Sequence, residues 1–377
     1  MGNLLVKQSL LILFLLIFVN YKVSETFANE SAPDIISESY ILIDSNTGKV
    51  LLQENAHQLM YPASITKIIT AIIVIETRDL DEVVEVSWDA VRAIGTRVYL
   101  LEGEKITLRQ LLHGLMVSSG NDAAIAIAEH IDGSVEAFAE RMNDFVETRI
   151  GVQRSNFKNP HGLFEEEHMT TASDMAKISA YAMKNDFFRE LVSTEYYDWV
   201  GEGWETRIYN HHPLTRHYED IIGIKNGFVQ RSGTTLSTAA KRGETELITV
   251  TLKAPSRYFA QEDTLALLEY GFQNYETQWV TFEKEPLRYD FVYPEKIPVT
   301  TEIGESVNYT ISSNGIVTIS SDAGKILKEF QLQERKPVLS PVLLDKSILD
   351  QGQNDSDNKK FSWLDWLFVT GIPLVYR

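Results

Sequence analysis

The sequence predicts an α+β fold: a sheet flanked by helices, with a small all-β part after it. Strand-like segments stand at both ends of a helix-patterned block, and after about Gln273 the texture changes to short Thr/Val/Ile runs. Across 377 residues, 44% hydrophobic and 10% aromatic side chains are ample for a large core. At ~150 residues per domain the length suits two domains. Cysteine is absent, which excludes disulfides, thiolate metal sites and a cysteine nucleophile. The formal charge of -18 argues against a nucleic-acid partner held by a general phosphate-attracting field.

Residues 1–28 carry one early cation, Lys7, and then an apolar run over 10–19. That run is too short for a span of ~20 residues, and the layout is that of a secretory signal peptide cleaved after Ala28. No cysteine follows it to take a lipid. Residues 40–43 and 50–52 are apolar around a turn at 44–48, which predicts a β-hairpin. A strongly apolar helix follows Pro62 to about Thr77, and helical patterns recur at 108–117, 122–131, 134–150 and 172–184. Residues 234–240 and 246–252 form a second hairpin pattern, with a helix over 258–270. Strands on both sides of the helical block predict one mixed sheet with a helical subdomain, together a domain of residues 29–272.

Strand patterns at 297–301, 307–311, 316–319 and 326–332, punctuated by Gly304, Gly315 and Gly324, place a small β-rich domain in 273–350. In 351–377 a polar linker runs to Lys360. Phe361, Leu364, Leu367 and Phe368 then recur at helical spacing beside Trp363 and Trp366. The segment is too short to span a bilayer. It reads as an amphipathic helix on a membrane surface, with a terminal helix docked on the protein's own core as the alternative.

Ser64 and Lys67 open the apolar helix, three residues apart and so on one face. Free N–H groups and the positive dipole end at a helix start favour a developing anion, which suits a nucleophilic Ser64. Lys67 serves as its base only if burial or a cationic neighbour lowers a pKa of ~10.4. Taken alone the pair is weak, because Ser-x-x-Lys arises about once by chance in a chain of this length. A capping Ser beside a surface Lys explains it equally. Two further clusters add weight: Ser119-Gly120-Asn121 in a polar turn between apolar helices, and Lys225-Asn226-Gly227 before the strand at 234.

In order, Ser-x-x-Lys, Ser-x-Asn and Lys-x-Gly resemble the three motifs of the penicillin-binding, active-site serine family. The stretches YPASITKIITA, TLRQLLHGLMVSSGNDAAIAIAEH and NPHGLFEEEHMTTASDMAKIS are similar to those of D-alanyl-D-alanine carboxypeptidases, the low-molecular-mass penicillin-binding proteins. There is some likeness to sporulation-associated members. The resemblance covers roughly residues 35–270 and implies a β-lactamase/transpeptidase-like domain with the site between sheet and helices.

That resemblance implies that Ser64 is acylated by the penultimate D-Ala of a peptidoglycan stem peptide, or by a β-lactam, with Lys67 as base. Ser119 relays a proton to the leaving D-Ala, and Asn121 hydrogen-bonds the bound peptide and Lys67. Lys225 attracts the terminal carboxylate with Asn226 and Gly227 beside it, and the backbone N–H groups of Ser64 and Phe228 form an oxyanion hole. No cofactor and no metal are implied, and the expected place is the outer face of the cytoplasmic membrane. Asn226 stands where the family usually has Thr.

The competing readings are a β-lactamase, a catalytically weak peptidoglycan-binding protein and a D,D-endopeptidase. A β-lactamase uses a Glu-x-x-Leu-Asn loop that this sequence lacks, and Glu165, Glu166 and Glu167 read as a solvated acidic loop. Asn226 is the support for weak catalysis. His211, His212 and His217 lack the His-Glu-x-x-His pattern of a metal site, and His161 and His168 are expected to shape a loop.

Overall fold

The computed structural model describes residues 31–282 and 291–335. The expected signal peptide at 1–28 and the expected amphipathic tail at 351–377 lie outside the described residues. Among the described residues no helix is long and apolar enough to cross a membrane.

The hairpin expected near the start is present as β1 (Ser39–Asp44) and β2 (Val50–Glu54). It joins β3 (Ile221–Val229), β4 (Gly233–Arg242) and β5 (Thr245–Ala254) in a five-stranded sheet of order β2-β1-β5-β4-β3. Every neighbouring pair is antiparallel. The sheet is therefore not mixed in direction as expected: β1–β2 and β3–β4–β5 are joined by tight turns, which only antiparallel strands permit.

The apolar run at 40–43 does not alternate because both faces of β1 are covered. Ile41 and Ile43 point into the main core, whereas Tyr40 and Leu42 enter a second core with Ala260, Leu267 and Leu268 of helix Arg257–Asn274. On the main-core side lies α1 (Lys67–Thr77), buried around its whole circumference from Lys67 to Val74. A helix apolar on all sides belongs inside, so the three turns from Pro62 form the centre of the helical subdomain. Around it pack α2 (Leu108–Met116), α3 (Asn121–Asp132), α4 (Val135–Phe145) and α5 (Ala172–Ala182).

After the sheet's last strand and its helix, Tyr275–Thr281 pairs with Lys296–Glu302, and Val307–Ile311, Ile316–Ser321 and Ile326–Gln331 form a three-stranded antiparallel sheet. The buried carboxylate of Asp44 accepts from the hydroxyls of Thr277 and Thr300, both at 2.7 Å, and so ties the first of these pairs to the β1–β2 turn. Of the described residues, 31–282 and 293–332 form one compact unit. In the second, the described residues form the antiparallel pair Phe291–Val292 with Gln333–Glu334.

Candidate active site

Ser64 sits in the 3-10 turn Ala63–Thr66 that leads into α1. Ala63 before it is held at φ +51, a conformation L residues seldom adopt. Gly162 explains how the turn is pinned: a Cβ there would lie 1.9 Å from the Ala63 carbonyl oxygen, so only glycine lets the 159–162 loop close on it. Thr70 donates to the Pro160 carbonyl at 2.7 Å. The His168 Nδ1 accepts from Lys158 N at 3.0 Å, which leaves Nε2–H to donate to Thr66 Oγ1 at 2.9 Å. His161 and His168 are thus loop-shaping groups, both buried and both kept neutral with pKa lowered to about 3 by burial.

Lys67 is fully buried one helical turn further on. Its Nζ lies 2.7 Å from Asn121 Oδ1, 2.8 Å from the His161 carbonyl and 3.1 Å from Ser64 Oγ. The Asn121 amide is oriented by its Nδ2 donating to the Ile94 carbonyl at 2.7 Å, so Oδ1 faces the lysine. Burial, with Lys225 as a second cause, lowers the Lys67 pKa well below 10.5, against an opposing pull from Asp122. A neutral amine has two N–H groups and one lone pair. If the amine is deprotonated, the two acceptor-only oxygens take its N–H groups and its lone pair is left for the Ser64 hydroxyl.

Ser119 and Asn121 flank the α2–α3 turn. Ser119 is held at φ +61 and buried, and Gly120 N donates to the Gly114 carbonyl at 2.9 Å. The neighbouring Asp122 carboxylate is fully buried and accepts from Val98 N and Leu100 N at 3.0 and 3.3 Å, which fixes segment 94–101 against the start of α3.

Strand β3 supplies the opposite wall. A Cβ on Gly227 would stand 2.6 Å from Ser64 N and 2.7 Å from Thr235 Oγ1, so the strand passes directly against the nucleophile's backbone. Thr235 in turn donates to the Pro62 carbonyl at 2.8 Å. Lys225 is buried, its pKa lowered by burial to about 7, and its Nζ donates to the Asn226 carbonyl at 3.0 Å and to Asn226 Oδ1 at 3.3 Å. Asn226 is half-buried, and Phe228 is exposed.

Asn226, Gly227 and Phe228 border a cavity of about 420 Å³ with Pro213, Leu236 and Arg257. Arg257 was not anticipated: a single Arg at the start of a helix carries no pattern. The Lys67-binding carbonyl of His161 was likewise missed, since a backbone acceptor leaves no trace in side-chain identity. Glu165, Glu166 and Glu167 are exposed, and Glu165 accepts from Asn159 Nδ2 at 2.6 Å. Among the described residues no three His, Asp or Glu groups converge as for a metal.

Residues 26–256 match the peptidase S11 family, described as D-alanyl-D-alanine carboxypeptidase. The chain is 32% identical over 248 residues to D-alanyl-D-alanine carboxypeptidase DacF of Bacillus subtilis (strain 168), covering 64% of this chain and 63% of that protein. The fold is similar to penicillin binding protein 6B from Escherichia coli, with a TM-score of 0.70 and 26% identity over 80% of this chain and 96% of that one. It is also similar to the Streptomyces K15 DD-transpeptidase, with a TM-score of 0.61 and 29% identity over 64% and 99% of the two chains.

Proposed function

The chain belongs to the D-alanyl-D-alanine carboxypeptidase family of serine peptidases, peptidase S11, and from that premise we propose that it removes the terminal D-Ala from peptidoglycan stem peptides through an acyl-enzyme on Ser64. The observation that carries the reading is the fully buried Lys67, 3.1 Å from Ser64 Oγ with both other contacts made to oxygen acceptors.

In this reading neutral Lys67 takes the Ser64 proton as Oγ attacks the penultimate D-Ala carbonyl. The oxyanion that forms is held by the backbone N–H groups of Ser64 and Phe228, at the close crossing that Gly227 permits. Ser119 passes a proton to the departing D-Ala nitrogen. Lys225 and Asn226 receive the terminal carboxylate, and Arg257 adds a second cation at the cavity that Asn226 borders. Water then cleaves the ester. β-Lactams enter as mimics of the same acyl donor. A D,D-endopeptidase uses the same chemistry, and Asn226 favours neither over the other.

We place export by residues 1–28, catalysis in 29–272, a β-rich domain in 273–350 and a membrane-surface helix in 351–377 in the same proposal. Incubating the purified protein with a soluble pentapeptide ending in D-Ala-D-Ala and measuring free D-Ala tests the activity. Steady release that Ser64→Ala abolishes is expected. Release only from cross-linked dimeric peptides points to the endopeptidase, and no release from either overturns the reading.

A further inference from the structure

We propose that segment 94–101, one wall of the cleft, is a platform for the sugar strand to which the stem peptide is attached; this rests on the peptidoglycan reading of the site. Tyr99 is the observation that prompts it. A bulky residue in the left-handed region is costly, yet Tyr99 is held at φ +59 and is 58% exposed.

Four contacts impose that arrangement. The N–H groups on either side of Tyr99, those of Val98 and Leu100, both donate to the Asp122 carboxylate. Trp204, at the end of a hairpin formed by Tyr196–Val200 and Glu205–Tyr209, donates its Nε1–H to the Val98 carbonyl at 2.7 Å. Its ring meets Tyr99 edge to face, with centroids 5.5 Å apart. Apolar burial alone would fold such a ring down onto the protein. Here the fold presents it outward.

The surroundings match a carbohydrate. Ile94 and Leu101 are also exposed, at 72% and 46%, and the Arg97 guanidinium lies 5.2 Å from the Tyr99 ring centroid. Pyranose rings have apolar C–H faces that pack on aromatic rings, and their acetamido and carboxylate substituents accept from a guanidinium. A local cation also offsets the -18 charge of the chain toward a polymer that carries carboxylates.

Continuity with the site is direct. Asn121 donates from Nδ2 to the Ile94 carbonyl and from its backbone N to the Thr96 carbonyl, both at 2.7 Å, and the same residue holds Lys67. An exposed Tyr99 ring beside the Arg97 cation is also the composition of a membrane-surface patch. A bilayer seated there would cover the cleft wall where the polymer has to enter, which favours the sugar strand.

The test uses the full chain with two substrates: a soluble pentapeptide, and purified peptidoglycan that retains pentapeptide stems. Tyr99→Gly removes the ring and accepts φ +59 without strain, Tyr99→Asn is the second left-handed-tolerant variant, and Arg97→Gln removes the cation. In each, the rate of D-Ala release from polymer relative to soluble peptide should fall by about tenfold. Sedimentation of Ser64→Ala protein with peptidoglycan should weaken when Tyr99→Gly is added, and an N-acetylglucosamine tetramer should compete. An unchanged ratio overturns the platform, as does weakened binding to anionic phospholipid vesicles with polymer activity intact. If the unsubstituted protein releases D-Ala from neither substrate, the carboxypeptidase reading fails, and the sedimentation assay still decides the platform separately.

Discussion

Replacing Lys225 with Met should stabilise the fold while impairing substrate capture. Lys225 is 1% exposed, and burial takes its pKa from the ordinary 10.5 to about 7. On unfolding it returns to ~10.4. Between these values the unfolded chain binds the extra proton, so stability rises with pH across that window, and the penalty of burying Lys225 is complete below about pH 7. At ~1.36 kcal/mol per pH unit, the gap corresponds to about 5 kcal/mol. Met forfeits the hydrogen bonds to Asn226 O and Oδ1, ~1 kcal/mol each, leaving a net gain of about 3 kcal/mol at pH 6. Urea unfolding of both proteins at pH 6, 8 and 10 reads this directly, and the advantage of Lys225→Met should shrink with pH and be gone by pH 10. No gain at pH 6, or a gain that grows with pH, refutes the reasoning.

Other substitutions probe the remaining parts of the site. Lys67→Arg puts a permanent cation there with no lone pair to offer Ser64, so penicillin acylation followed by stopped-flow should slow by several powers of ten; near-normal acylation requires another base. Gly227→Ala drives a Cβ to within 2.6 Å of Ser64 N and must push β3 away, and acylation should drop by about 100-fold, the value of one oxyanion donor, with the circular dichroism spectrum retained. Asn226→Thr should leave D-Ala release within about tenfold, equivalent to ~1.4 kcal/mol, and Asn226→Ala should be worse. A large gain in the Thr variant instead identifies the natural protein as a weak catalyst.

Much of the fold was legible because burial writes itself into periodicity. The helix from Pro62 to Thr77 is apolar all round, and the structure ends α1 at Thr77. The two hairpins carried turn residues between apolar runs. Strand β3 was not anticipated, and its residues show why. Gly223, Lys225, Asn226 and Gly227 have low strand propensity, and Asn-Gly is a common hairpin-turn pair. They occupy an edge strand because Lys225 and Gly227 face Ser64, where local preference yields to the site. The helix Asp186–Ser193 and the Trp204 hairpin were also missed. Their short lengths give little periodicity, and their positions depend on contacts distant in sequence, such as Trp204 with Val98.

The candidate site was legible where chemistry needs particular side chains. Ser64, Lys67 and Asn121 could be picked out by type and spacing, and the structure brings them within 3.1 Å of the Lys67 Nζ. Main-chain groups other than the expected oxyanion hole were not legible. The His161 carbonyl is one such group. Thr235, which braces the nucleophile turn through Pro62, is a hydroxyl within an ordinary strand pattern.

The nucleophilic role of Ser64 is tested most directly by intact-protein mass spectrometry after exposure to penicillin. One covalent adduct that maps by peptide digestion to Ser64, and is absent from Ser64→Ala, is the expected result. An adduct of undiminished yield in Ser64→Ala, or one that maps to another residue, contradicts it.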